Sequence, residues 1–77
     1  RMRYRINKLL DLLGMEMSKG KYWGSEFLYY EQEQHRLYSG FEVRPKQGPH
    51  YAKDAKRFRF LRDVELYLDV MADKYSG

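Results

Sequence analysis

The stretch KRFRFLRDVELYLDVM, Lys56 to Met71, decides the fold, because its hydrophobic repeat changes part-way along. From Lys56 to Phe60, basic and aromatic residues alternate with the two-residue period of a half-buried strand. Phe58 and Phe60 are expected on the core face, with Lys56 beside them at the solvent edge. Arg57 and Arg59 then point to the opposite face. From Leu61 the repeat becomes helical: Leu61, Val64, Leu68 and Met71 form one stripe, widened by Tyr67. Asp63 and Glu65 fall in the first turn, where negative charge complements the helix dipole. The predicted helix runs over 61–75, and Ser76 and Gly77 end it.

Upstream, Ile6, Leu9, Leu10 and Leu13 fall at helical spacing within residues 3–13, with Met17 one turn on. Arg3, Arg5, Lys8 and Asp11 fill the other side, and Gly14 suits a left-handed helix stop. A short second turn is expected over Met15–Ser18. Residues 21–44 read as a strand pair rich in Tyr22, Trp23, Phe27, Leu28, Tyr29 and Tyr30, with Gly24 at a bulge or at the strand start. The polar run Glu31–Gln34 is the expected turn. On the return strand, His35, Leu37, Ser39, Phe41 and Val43 are expected to face the core. Pro45–Pro49 is a loop, His50-Tyr51 starts a short strand, and Ala52–Ala55 is a tight turn.

The expected fold is therefore one α+β domain spanning residues 1–77. It has an N-terminal helix, a three- to four-stranded antiparallel sheet within 21–60, and a C-terminal helix packed on one sheet face. The other face is left to carry Arg57, Arg59 and exposed tyrosines. A chain of 77 residues builds only a thin core, in which a deep catalytic cleft is hard to form. It has no cysteine, so thiolate nucleophiles, thiolate metal sites and disulfides are excluded, which suits a reducing intracellular compartment. No apolar run approaches a membrane span, and no segment has the pattern of a secretory signal. The chain opens on Arg1 rather than Met, which reads as a piece of a longer protein.

The net charge of +4 is segregated. Residues 1–21 carry +4, residues 22–43 carry −3, residues 44–62 carry +6 and residues 63–77 carry −3. A strongly basic block points to an anionic partner, although solvated charge is its bland explanation. Catalysis has little support. His35 and His50 lack a second ligand at chelating spacing, and Asp69 and Asp73 read as a solvated helix face. No nucleophile elbow, phosphate loop or dinucleotide fingerprint is present. A non-enzymatic domain without cofactor, metal or small-molecule substrate is expected.

The basic strand offers two guanidinium groups on one face, each able to fork onto phosphate or guanine. Alternatively, Arg57 and Arg59 pair with Glu26, Glu31, Glu33 or Glu42 on neighbouring strands. Tyr29, Tyr30, Tyr38 and Tyr51 either stack on bases or pack within the sheet.

Residues 40–68 resemble the methyl-CpG-binding domain and its methyl-CpG-binding-like (TAM) relatives. Gly40-Phe41 matches that family's glycine–aromatic opening. Lys56, Phe58 and Arg59 match its basic-Phe-Arg strand, and Val64, Tyr67 and Leu68 its helix ending. The resemblance implies a wedge of sheet and helix that meets DNA, a nuclear location, and a groove-reading role for Arg59. The expected function is nucleic-acid binding, with duplex DNA as partner. Arg57 and Arg59 would enter the groove or grip phosphates, and Arg44, Lys46, Lys53, Lys56 and Arg62 would hold the backbone. The alternative is a protein-interaction module, an adaptor, inhibitor or homodimer. It would dock through the tyrosine-rich hairpin or through the first helix, where Leu12, Met15 and Met17 form a surplus apolar seam.

Overall fold

Gly14 sets how the chain begins to fold. Its left-handed backbone (φ 67°, ψ 37°) turns its N–H onto the carbonyls of Leu10 and Asp11 and ends helix α1, Met2–Leu13. Strand β1, Met15–Trp23, starts on the next residue. The computed structural model describes residues 1–48 and 54–76. The order continues with a 3-10 turn at Gly24–Glu26, β2 at Phe27–Leu28, β3 at Leu37–Pro45, β4 at Lys56–Phe58 and α2 at Leu61–Ser76. The expected α+β architecture is present, and both helices lie against one face of a four-stranded sheet.

The strand order is β1-β3-β4-β2. β1 and β3 pair antiparallel along their whole length, from Met15 opposite Pro45 to Trp23 opposite Leu37. β4 pairs antiparallel with β3 over Phe41–Val43 only, and β2 runs parallel to β4 at the far edge. Ile6, Leu9 and Leu10 of α1, Met15, Val43 and Phe58 of the sheet, and Val64 and Leu68 of α2 form the core.

Several expectations are corrected. Residues 15–18 are strand, not a helical turn. Met15 is buried and Met17 packs on the core, so neither belongs to an exposed seam, whereas Leu12 stays 74% exposed. Met17 lies four residues after Leu13, and so fits a helix and an alternating strand equally well. The partner of β3 is residues 15–23 rather than 21–30, so only 21–23 of the expected segment pair with it. Residues 24–36 form an excursion between them, closed by Gly24 N–H on the Arg36 carbonyl and Ser25 N–H on the Gln34 carbonyl. The sheet is consequently not all antiparallel. His35 lies outside β3, and Leu37 is 50% exposed because the helix layer stops short of it.

Phe60 does not join Phe58 in the core. β4 ends at Phe58 and the chain bends, so that the Phe60 carbonyl accepts the first N–H groups of α2 from Asp63 and Val64. The ring swings instead against Tyr30, 6.0 Å between centroids. The expected strand at His50-Tyr51 and the first half of the turn at Ala52–Ala55 lie outside the described residues.

Phe58 is fully buried, while Arg57 on the other face is partly solvated. Phe58→Ala is expected to lower unfolding free energy by about 3–5 kcal/mol, and Arg57→Ala by about 1 kcal/mol or less. Urea denaturation of the two variants checks this, and a reversed ranking would mean that β4 is shifted by one residue.

Candidate nucleic-acid interface

Side-chain alternation along β1 and β3 divides the basic residues between two faces. On the face away from the helices, Glu16, Arg44, Glu42, Arg57 and Glu26 form a continuous ladder. Arg44 Nε lies 3.0 Å from Glu16 Oε2, and its Nη1 lies 3.0 Å from Glu42 Oε1. The same nitrogen donates to Ser18 Oγ at 2.9 Å. Arg57 donates to Glu42 Oε2 through Nε at 3.0 Å and reaches Glu26 Oε1 through Nη1 at 2.9 Å. Its guanidinium also covers the Tyr22 ring, 4.8 Å from the centroid. Glu42 accepts from both arginines and its side chain is only 18% exposed. The pairing expected between Arg57 and Glu26 or Glu42 is thus the one observed. With three carboxylates around two guanidinium groups, this row offers a phosphate no net attraction.

Beside the ladder lies an aromatic cluster. Phe27 is buried over Gly40, where a Cβ would meet the Phe27 ring and approach the Phe58 carbonyl to 2.8 Å. Phe27 packs edge-on against Tyr22 and Tyr30, and Tyr30 against Tyr38 at 5.3 Å. A hydrogen bond with Tyr30 raises the Tyr38 pKa above its ordinary 10.0. The tyrosines expected to stack on bases therefore differ in placement. Tyr30 of the excursion and Tyr38 of β3 are half-buried against each other, Tyr29 is exposed, and Tyr51 lies outside the described residues.

Arg59 sits at the sheet edge past the end of β4. Its Nη1 donates to the Ser39 carbonyl at 3.2 Å, and its guanidinium lies between the Tyr38 and Phe60 rings. Its Nε is buried with no hydrogen-bond partner among the described residues. Arg62 covers the same Phe60 ring at 4.3 Å. Lys46 stands at the opposite end of the sheet, 4.0 Å from Asp11. Lys56 is half-buried on β4, opposite Val43, and takes part in the interactions there. Lys53 lies outside the described residues. Of the residues named from the sequence, the six that are described do not converge: Arg44 and Arg57 share Glu42, Arg59 and Arg62 share Phe60, Lys56 lies on β4 and Lys46 at the other end of the sheet.

A different set does converge. The helices cover the near half of β1 and β3 and leave the far half bare. There Lys19, Lys21 and Trp23 project in line from β1, beside Ser39 and Leu37 of β3. Lys19, Lys21 and Ser39 are exposed, and Trp23 and Leu37 are each 50% exposed. A shallow depression of about 260 Å³ opens between Lys19, Ser39, Gly40, Phe41 and Arg59. No residue of this bare surface or its depression is acidic. Sequence reasoning missed it because β1 was started at residue 21. Reading 15–23 with a two-residue period would have put Lys19, Lys21 and Trp23 on one face.

No family model, curated protein or solved structure matches the chain. Among the described residues no helix is long and apolar enough to cross a membrane, and no group of three or more His, Asp or Glu is placed to hold a metal ion.

The two faces should differ toward a polyanion. Lys21→Gln is expected to lower the salt concentration that elutes the protein from immobilised heparin, and Arg57→Gln to leave it nearly unchanged. The opposite order would return the basic surface to the ladder face.

Proposed function

We propose that this chain is a non-catalytic nucleic-acid-binding domain, and that it binds through the bare half of the β1–β3 ribbon. One observation carries this reading: Lys19 and Arg59 line a depression free of carboxylates, and Lys21 and a half-exposed indole follow Lys19 on the same face of β1. Cations attract phosphate through release of condensed counterions, and an aromatic ring adds a stacking surface for a base. The ladder of Arg44 and Arg57 then serves the sheet, by fixing the register that sets the lysines in line. Arg62, exposed beside Phe60, is near enough along the chain to extend the basic surface from Arg59. A groove-reading role for Arg59, as in the methyl-CpG-binding family, would need its guanidinium to leave Tyr38 and Phe60.

A second reading, a protein-interaction module, is favoured by the helix layer. Leu12, Leu66, Val70 and Tyr75 are exposed, and Leu12, Leu13, Ala72 and Tyr75 line an apolar depression of about 330 Å³.

Fluorescence anisotropy with labelled oligonucleotides at several salt concentrations separates the two. Three phosphate contacts predict log K falling against log salt with a slope of about −2 on a single strand and about −3 on a duplex. The double variant Lys19→Glu, Lys21→Glu is expected to abolish that binding while keeping the circular-dichroism spectrum of the parent. If the parent binds neither form at low salt, the nucleic-acid reading fails and the interaction module takes its place.

A further inference from the structure

We infer that the bare surface takes unpaired nucleic acid, with one base stacked on Trp23 and the backbone running along Lys21 and Lys19. This rests on the nucleic-acid reading above and adds which form is bound. Three features of the surface support it.

The first is spacing. Lys19, Lys21 and Trp23 are alternate residues of one strand, so their Cα atoms are about 6.5 Å apart. That makes a straight row with the ring at one end and two ammonium groups behind it. A single strand laid along β1 meets ring and cations in turn, as it does on other sheet-based platforms.

The second is the shape of the ring's setting. Trp23 is opposite Leu37 in the β1–β3 register, and both are half-exposed on the same face. Together they form a flat apolar step, open on one side, on which a splayed base can lie. Paired bases are stacked on each other and expose only their edges in the grooves, so a duplex has no free base face for this step.

The third is the thickness behind the surface. A bare two-stranded ribbon fits the major groove of a duplex. This ribbon is open on one face only. On its far side Tyr22 meets Phe27 at 6.0 Å, Tyr38 meets Tyr30 at 5.3 Å, and the excursion of residues 24–36 is layered on that face. The ribbon is therefore one side of a two-layer slab, too thick to enter a groove as a ribbon but stiff enough to act as a platform.

Trp23 is the only tryptophan, so intrinsic fluorescence reports on this ring alone. The protein is titrated with oligo-dT, with oligo-rU, and with a mixed-sequence duplex of equal length. Saturating single strand is expected to quench the tryptophan emission, with affinity about tenfold or more above that for the duplex. Trp23→Phe is expected to keep that preference. Trp23→Ala, like Trp23→Phe read by the anisotropy of labelled oligonucleotides because the tryptophan signal is gone, is expected to lose about tenfold in single-strand affinity and to leave duplex affinity unchanged. Both variants are checked for the parent circular-dichroism spectrum, which a half-exposed residue should not disturb. Equal response to oligo-dT and oligo-rU fits recognition of phosphate and base face alone, and a preference for one adds recognition of the 2′-hydroxyl or of the thymine methyl at the same site. If the duplex binds as tightly as the single strand, or if saturating single strand leaves the emission unchanged, the inference is overturned while the nucleic-acid reading stands. If none of the three binds at low salt, both fall.

Discussion

The pairing of β1 with β3 governs everything else in the molecule. Its register places Met17 opposite Val43 and Glu16 opposite Arg44. The first pair faces the helices and the second faces away. A slip of one residue would turn Met15 and Met17 out to solvent and bring Glu16 under α1. Two devices hold the register. Gly14 ends the helix at a fixed residue, so β1 has no slack at its start. The carboxylate–guanidinium ladder then ties β1, β3 and β4 together across their outer face, through side chains that are 18–38% exposed. Isolated pairs of that exposure contribute little, but linked, fork-shaped contacts from arginine also fix geometry.

From that pairing follows the division of labour between the two faces. The outer face has its charges matched and its aromatic rings packed. The inner face is covered by α1 and α2 only as far as Met17 and Phe41, because α2 leaves the sheet directly from the end of β4. β1 and β3 run on past this point. The strand length that forms the ladder thus leaves an uncovered surface at the other end, which carries lysines and a tryptophan.

Much of this was legible in the sequence. The switch of repeat at Phe60–Leu61 defines β4 and α2, and the stripe Ile6, Leu9, Leu10 with Gly14 defines α1. Alternation set Phe58 inward and Arg57 outward correctly. What was not legible has physical causes. Met15 and Met17 satisfy helical and strand spacing together, and only the pairing with β3 decides between them. The parallel contact of Phe27-Leu28 with Arg57-Phe58 is non-local, and no local repeat announces it. Phe60 continues the alternation of β4 in sequence, but helix initiation removes it from the strand. The candidate site suffered most, since density of charge along the chain pointed to residues 44–62. Arg44 and Arg57 of that block are neutralised across the sheet, and among the described residues no acid pairs with the sparser lysines of β1.

The central claim is that the bare half of the β1–β3 ribbon, and not the arginine ladder, is the binding surface. Backbone amide and Trp23 indole chemical shifts, followed by NMR as an unlabelled single-stranded oligonucleotide is added to labelled protein, test it most directly. The largest changes are expected on Lys19, Lys21, Trp23, Leu37 and Ser39 and on the Trp23 indole N–H, with Glu16, Glu42 and Arg44 little affected. Changes centred on Glu16, Glu42, Arg44 and Arg57, or on Leu66 and Val70 of α2, would contradict it.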